Sequence, residues 1–148
     1  MYFFVCMVIE EIVPQLPKKL EKIKKSYKNC SNLGKFTTVN QEEFSAHLEK
    51  AKSDLANVES DFRKQSWDRV IIKSYYSTHH AINALLIRKN GFYSKDHICA
   101  ILALKFFEII PQEIYDVRKW KQLSKKDAES IYLLAKEIVA FAERECYK

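Results

Sequence analysis

The 148-residue sequence has few of the residues that form tight turns, with only two Gly and three Pro. Hairpins and barrels depend on such residues at their turns, so the composition disfavours an all-β fold. Lys, Glu, Leu, Ala and Ile are abundant instead, and this composition favours helices. We therefore predict an all-α fold, an up-and-down antiparallel bundle of four to five helices with an N-terminal extension.

The sequence also lacks any CxxC pair, because Cys6, Cys30, Cys99 and Cys146 are scattered along the chain. This spacing excludes a zinc ribbon and a thioredoxin-type redox site. Two disulfides are possible in principle, but isolated cysteines in a helical chain are typical of reduced, cytoplasmic proteins. We expect the thiols to be reduced and the protein to be cytoplasmic.

No hydrophobic run has the length of a transmembrane helix. The apolar stretch from Tyr2 to Val13 is shorter than the roughly 20 residues that a span requires, and Glu10 and Glu11 interrupt it. It also lacks the basic segment that begins a signal peptide. We expect no membrane among the partners of the protein, and a surface contact stays open only for the lysine-rich helix described next.

Positive charge is concentrated near the N-terminus. Residues 1–40 contain seven Lys and three Glu, whereas the rest of the chain has 18 basic and 16 acidic residues. We assign residues 1–39 to an extension whose lysine-rich amphipathic helix runs from Lys18 to Cys30. Its lysines form either a solvated surface or a contact for nucleic acid or membrane, and the sequence leaves these alternatives open.

The bundle is predicted over residues 40–148, with a central helix that begins after Ser66 and ends at Gly91. Ser66 is a candidate N-cap, and Gly91 can adopt the left-handed conformation that terminates helices. A helix from Asn40 to about residue 64 precedes it, and loops are predicted at 31–39 and 92–97. Further helices are predicted at 98–110 and 112–123, and a last one begins at Ser124.

The central helix has two stripes of side chains, and both must pack against other helices or a second subunit. Tyr75 lies on the apolar stripe and is interpreted as a core residue, while Lys73, Ser77, Ala84 and Arg88 form a narrow strip predicted to face water. The second stripe is polar and aromatic. A phenol ring, an imidazole and an amide on one face can bind a base or a phosphate, and they can equally form a wet dimer interface. With the histidine that precedes the next helix, its candidate ligand-binding residues are Tyr76, His79, His80, Asn83 and His97.

Several catalytic and metal-binding patterns are absent. The sequence has no Gly-rich phosphate loop, no GxSxG elbow and no HxxxH pair. His79 and His80 are adjacent and diverge by about 100° on a helix, so they do not converge on one ion. We expect no metal and no cofactor.

One run of the sequence resembles a known family. Its features are a Tyr-Tyr pair in the core helix, a Leu-Leu tail, a Gly turn and a Lys-x-His entry to the next helix. The residues that carry these features are Lys73-Ser74-Tyr75-Tyr76-Ser77-Thr78-His79-His80-Ala81-Ile82-Asn83-Ala84-Leu85-Leu86, Gly91 and Ser94-Lys95-Asp96-His97. This order resembles the prokaryotic HEPN domain family, over about residues 41–146, and more narrowly the branch that partners minimal nucleotidyltransferases.

The resemblance implies a helical bundle, often a homodimer, that works beside a minimal nucleotidyltransferase in a toxin–antitoxin-like system. Ribonucleases of the family use an Arg followed four to six residues later by His. Here His79 follows Arg69 by ten residues and His97 follows Arg88 by nine, so the motif is absent and no catalytic residue is assigned.

Three functional hypotheses follow. The first is a non-catalytic protein that binds a nucleotide or RNA and a nucleotidyltransferase partner. The second is a metal-independent ribonuclease toxin with a degenerate active site. The third is a purely structural dimeric adaptor.

Overall fold

The computed structural model describes residue 17, residues 19–107 and residues 125–148. The apolar stretch from Tyr2 to Val13, the helix predicted at 112–123 and the helix start predicted at Ser124 lie outside the described residues. The described elements, in chain order, are α1 (Leu20–Asn32), β1 (Phe36–Thr38), a 3-10 turn (Gln41–Glu43), α2 (Phe44–Arg63), α3 (Trp67–Asn90), β2 (Phe92–Ser94), α4 (His97–Phe106) and α5 (Lys125–Cys146).

The all-α prediction is confirmed, and α3 is the central helix. It packs along α2 on one flank and α5 on another, and it also contacts β2 and α4. Residues 81–87 of α3 are all buried, which makes this segment the middle of the core. A helix buried on several flanks can carry polar groups only where they find protein partners.

Gly91 ends α3 as predicted, with a left-handed φ of 74°. Its N–H donates to the carbonyl of Ile87, which closes the last turn. The prediction for the other end is wrong in one respect, because the Ser66 side chain makes no capping hydrogen bond. The next helix starts at His97, one residue earlier than predicted, because the carboxylate of Asp96 caps it by accepting from the Cys99 N–H.

The strip predicted to face water is partly buried. Ser77 and Ala84 are completely inaccessible, because small residues on this side of α3 allow α2 to approach closely. The Ser77 hydroxyl donates to the Ala51 carbonyl at 2.7 Å, so its polarity is satisfied inside the protein. Sequence periodicity cannot distinguish a small residue in water from a small residue at a tight helix crossing.

Two segments predicted as loops contain a pair of short strands. β1 and β2 pair antiparallel, with Phe36 opposite Ser94 and Thr38 opposite Phe92. The strands are three residues long, which is too short for an alternating pattern to be visible. Their pairing joins the N-terminal extension to the segment between α3 and α4.

The helix of the extension is docked on the bundle. The Tyr27 ring stacks on Phe106 with centroids 4.3 Å apart, and Cys30 forms a disulfide with Cys99. The prediction of reduced thiols is therefore wrong for this pair, whose Cα atoms lie 5.8 Å apart although 69 residues separate them in sequence. Cys146 is a free, buried thiol.

Among the helices that the structure describes, none combines the length and the hydropathy needed to cross a bilayer.

Candidate functional site

The site is built on a buried amide. Asn83 of α3 accepts from the Ser94 N–H at 3.2 Å and donates to the Ser94 carbonyl at 3.0 Å. These two bonds reproduce the pairing of a strand neighbour, so they hold the end of β2 against the central helix. They also determine which way the amide points, because its oxygen must face the Ser94 N–H and its nitrogen the carbonyl.

The orientation of Asn83 defines the protonation state of His79. The amide nitrogen of Asn83 lies 3.2 Å from Nε2 of His79, so this ring nitrogen must accept and cannot carry a proton. The pKa of His79 is lowered to about 4, mainly by burial and to a smaller extent by the neighbouring His80 and His47. His79 is therefore a neutral, buried imidazole near pH 7.

His97 enters the site from the first turn of α4. Its ring stacks on His79 with centroids 3.8 Å apart, and its Nδ1 shares a hydrogen bond with the hydroxyl of Tyr75. Two stacked imidazolium rings would repel each other, and burial lowers the pKa of His97. The tautomer with its proton on Nε2 accepts the phenol hydrogen at Nδ1 and leaves Nε2–H available as a donor.

The backbone before His97 is held by a second set of polar contacts. The Ser94 hydroxyl donates to the Lys35 carbonyl at 2.8 Å and accepts from the Asp96 N–H at 3.1 Å. Lys35 Nζ also lies 3.7 Å from an oxygen of Asp96. The helix start that carries His97 is thus positioned by both β1 and α3.

His80 and His47 extend the site toward α2. Their ring centroids are 6.1 Å apart, and the His47 ring lies 5.3 Å from Tyr93. His80 Nε2 is 3.9 Å from a carboxylate oxygen of Asp54, while its buried Nδ1 has no hydrogen-bond partner in the described part of the chain. Burial and the charge of Lys50 lower the pKa of both histidines, despite the opposing carboxylates.

All four histidines of the chain therefore meet in one place, which we call the histidine cluster: His47, His79, His80 and His97. Tyrosine rings continue it at both ends. The Tyr76 ring lies 5.8 Å from Tyr75 and 6.4 Å from His97, and Tyr93 flanks His47. The cluster combines neutral hydrogen-bonding groups with aromatic faces.

The five candidate residues differ in accessibility. Tyr76, His80 and His97 are half-buried, so a ligand can reach them. His79 and Asn83 are buried, at 8% and 2% exposure, and their polar atoms already contact each other. Within the predicted set, these two can only orient the residues that a ligand would touch.

Three members of the site were not among the predicted residues. Tyr75 was interpreted as a core residue, but its hydroxyl bonds to His97. His47 and Tyr93 come from α2 and β2, and only the tertiary fold brings them to α3. The only hint in the sequence was that it contains few histidines. A shared role for them becomes visible only when the fold brings them together.

Among the described residues, Arg88 is held away from the histidine cluster. The Arg88 guanidinium donates to the Cys146 carbonyl at 2.9 Å and lies over the Phe44 ring, so its charge is used away from the histidines. Within residues 19–107 and 125–148, no group of three or more His, Cys, Asp or Glu side chains is arranged to hold a metal ion.

A comparison with family models places this geometry in context. The model described as HEPN domain matches residues 44–137, which is more than half of the chain. The chain belongs to the HEPN domain family. The match begins at the first residue of α2 and contains the whole of α3 and α4, so it covers every member of the histidine cluster.

Family membership supports a nucleotide- or RNA-related role of the HEPN type. Neither the curated proteins nor the solved structures give a match to this chain. The matched region starts after α1 and β1, so these two elements lie outside the residues that match the family model.

Proposed function

We propose that this HEPN protein is a non-catalytic nucleotide-binding protein whose ligand contacts the histidine cluster. The observation that carries the proposal is the gathering of all four histidines and three tyrosines into one continuous set of rings. Aromatic faces stack on bases of any identity, and neutral imidazoles offer both donors and acceptors to a base edge or a phosphate.

The proposed contacts are Tyr76, His80 and His97, the half-buried members of the predicted set. Tyr76 would stack on the base, and the ring N–H groups would donate to it or to the phosphate. His79 and Asn83 would keep His97 and β2 in position. Within the described part of the chain, Arg88 contacts Cys146, Phe44 and Glu42 instead of the histidines, which favours binding over strand cleavage.

The test is a titration of purified protein with mononucleotides, in which binding is measured by calorimetry and by quenching of tyrosine fluorescence. Replacing Tyr76 by Ala should weaken binding by roughly 5- to 150-fold, the range expected for one lost base–aromatic stack. His80→Ala should also weaken binding. The matched control is Tyr147→Ala, because the Tyr147 ring packs on Phe44 rather than on the cluster.

A wild-type protein that binds no nucleotide at millimolar concentration contradicts the proposal. So does a Tyr147→Ala variant that loses as much affinity as Tyr76→Ala. Thermal unfolding of each variant shows whether a loss of binding reflects a loss of structure.

We further propose that the protein is a cytoplasmic homodimer that works with a minimal nucleotidyltransferase in a toxin–antitoxin-like system. The support is the order of features in α3 and at the start of α4, which resembles the branch of the family with such partners. Affinity purification of the tagged chain should recover a small nucleotidyltransferase at near-equal stoichiometry. Recovery of the chain only with itself contradicts the partner, and a monomer by light scattering contradicts the dimer.

One observation favours a second function, a metal-independent ribonuclease with a degenerate active site. The Tyr75–His97 hydrogen bond pairs a phenol donor with an imidazole acceptor, and acid–base cleavage of RNA uses groups of this kind. This function predicts cleavage of RNA in the presence of a chelator and growth arrest on induced expression. A protein that is inert in both assays excludes it.

A further inference from the structure

The disulfide closes a ring of contacts around the start of α4. The Lys35 N–H donates to the Cys30 carbonyl at 3.1 Å, and the Lys35 carbonyl accepts from the Ser94 hydroxyl at 2.8 Å. That hydroxyl accepts from the Asp96 N–H at 3.1 Å, and the Asp96 carboxylate accepts from the Cys99 N–H at 3.1 Å. The bond from Cys99 to Cys30 completes the circuit. We call these five residues the contact ring, in which each member is held by two others.

The contact ring determines where His97 is placed. His97 follows Asp96 directly and is the first residue of α4. Its imidazole stacks on His79 on the α3 side of the helix, whereas Cys99 is bonded to α1 on the other side. Because both contacts start from the first turn of α4, a shift of this turn relative to α1 also moves the imidazole.

The docking of α1 on α4 depends strongly on the disulfide. Of the residues of α1, only Ile23 and Cys30 are buried, and the half-buried Tyr27 stacks on Phe106. A free helix of 13 residues is marginal in water, and ordering it costs conformational entropy at every residue. One of the two buried side chains is the bonded cysteine itself, so little packing remains to hold α1 once the bond is open.

A small thiol can open this bond by exchange. The two cysteines are buried, but Asn29 and Ser31 beside Cys30 are exposed, so fraying of the last turn of α1 admits the reductant. Its thiolate attacks one sulfur and displaces the other cysteine, and a second thiol then displaces the first cysteine from the mixed disulfide. Two electrons and two protons pass to the protein, which gains two thiols, and the reductant leaves as its own disulfide. Disulfides in cytoplasmic proteins are usually transient, catalytic or redox-sensing, which agrees with the proposed location.

We infer that the Cys30–Cys99 disulfide is a redox switch of the histidine cluster, whose reduction releases α1 from α4, loosens the contact ring and weakens nucleotide binding. This inference rests on the proposed function and adds the regulation of the same site. A low-molecular-weight disulfide reverses the exchange and restores the ring, because the pairing of β1 with β2 keeps the two thiols near each other.

Hydrogen exchange tests the release of α1. While β1 stays paired with β2, the disulfide closes a local loop through the Phe36–Ser94 pair, and for about 12 residues the chain-entropy relation gives a roughly 100-fold effect. Reduction by dithiothreitol should therefore accelerate exchange of α1 amides, such as that of Tyr27, by roughly 100-fold. The amide chemical shift of Leu85 in the core should stay the same, which shows that the bundle remains folded.

Mononucleotide titration of the oxidised and the reduced protein tests the effect on the site. Reduction should weaken binding by at least about 3-fold, as expected if His97 is then held in place no more than about a third of the time. Cys30→Ser should bind as weakly as the reduced wild type and should not respond to dithiothreitol. The matched control combines Cys6→Ala with Cys146→Ala, which leaves Cys30 and Cys99 as its only cysteines, and it should keep the full response.

The results distinguish the switch from the function on which it rests. If the oxidised wild type binds a mononucleotide and reduction leaves the affinity unchanged or raises it, the switch is wrong and the nucleotide site stands. The switch is also wrong if α1 amides exchange as slowly after reduction as before, or if the control variant loses the response. If neither the oxidised nor the reduced protein binds a nucleotide, the proposed function itself fails, and the switch fails with it.

Discussion

The neutral state of His79 has a measurable consequence for stability at low pH. Unfolding releases His79 from burial, so its pKa rises from about 4 in the native protein to the ordinary value of 6.5. Below pH 6.5 the unfolded chain therefore binds a proton that the native protein does not. Stability from this residue is complete above pH 6.5 and is lost as the pH falls toward 4.

The size of the effect follows from these two pKa values. Between pH 7.5 and pH 4.5, the free energy of unfolding should fall by about 2–3 kcal/mol because of His79 alone. The pKa values of the other three histidines are lowered as well, and their contributions have the same sign. Carboxylates that titrate near pH 4 add a background, so the measurement requires a reference protein.

The reference is His79→Gln, which does not titrate in this range and whose side-chain oxygen can still accept from Asn83. Urea unfolding of both proteins at half-unit steps from pH 7.5 to 4.5 provides the difference in stability at each pH. The advantage of wild type over the variant should shrink by about 2–3 kcal/mol across the series. Parallel curves for the two proteins, or NMR signals of the His79 ring that titrate near pH 6.5 in the native protein, would refute the reasoning.

Two other substitutions test how the site is held. Cys30→Ser opens a loop of 69 residues to Cys99, and the chain-entropy relation predicts a loss of about 4 kcal/mol in the free energy of unfolding. The wild-type protein should lose the same free energy of unfolding in the presence of a reductant. If the reductant leaves its stability unchanged, this result would contradict the disulfide. Asn83→Ala leaves the buried N–H and carbonyl of Ser94 without partners, so urea unfolding should show a loss of about 2–4 kcal/mol. The exposed control Asn57→Ala should stay within about 0.5 kcal/mol, and similar losses for both asparagines would argue against the buried network.

Much of the bundle could be predicted from local patterns. The helical period identified α3, the left-handed preference of Gly placed its end at Gly91, and the seam before it located α2. Each of these signals depends on residues within a few positions of one another, so it is present in the chain before any tertiary contact forms. For the same reason, four of the five candidate residues could be assigned to one helix, where Tyr76, His79, His80 and Asn83 occur.

The remaining parts of the site depend on residues that are distant in sequence. His47 joins the cluster because α2 packs along α3, and Tyr75 belongs to it because α4 brings His97 within hydrogen-bonding distance. No spacing rule connects these positions. The accessibility of Ser77 was equally hidden, since a small polar residue suits both water and a close helix crossing.

The sequence by itself determined the main described helices of this HEPN protein, because helix formation follows the periodic placement of apolar side chains along a few turns. Only the tertiary structure decided which side chains meet: the strand pair between residues 36–38 and 92–94, the Cys30–Cys99 disulfide, and the neutral state of His79. Those outcomes depend on how whole helices pack and on how much water the packing removes, and both are properties of the assembled core.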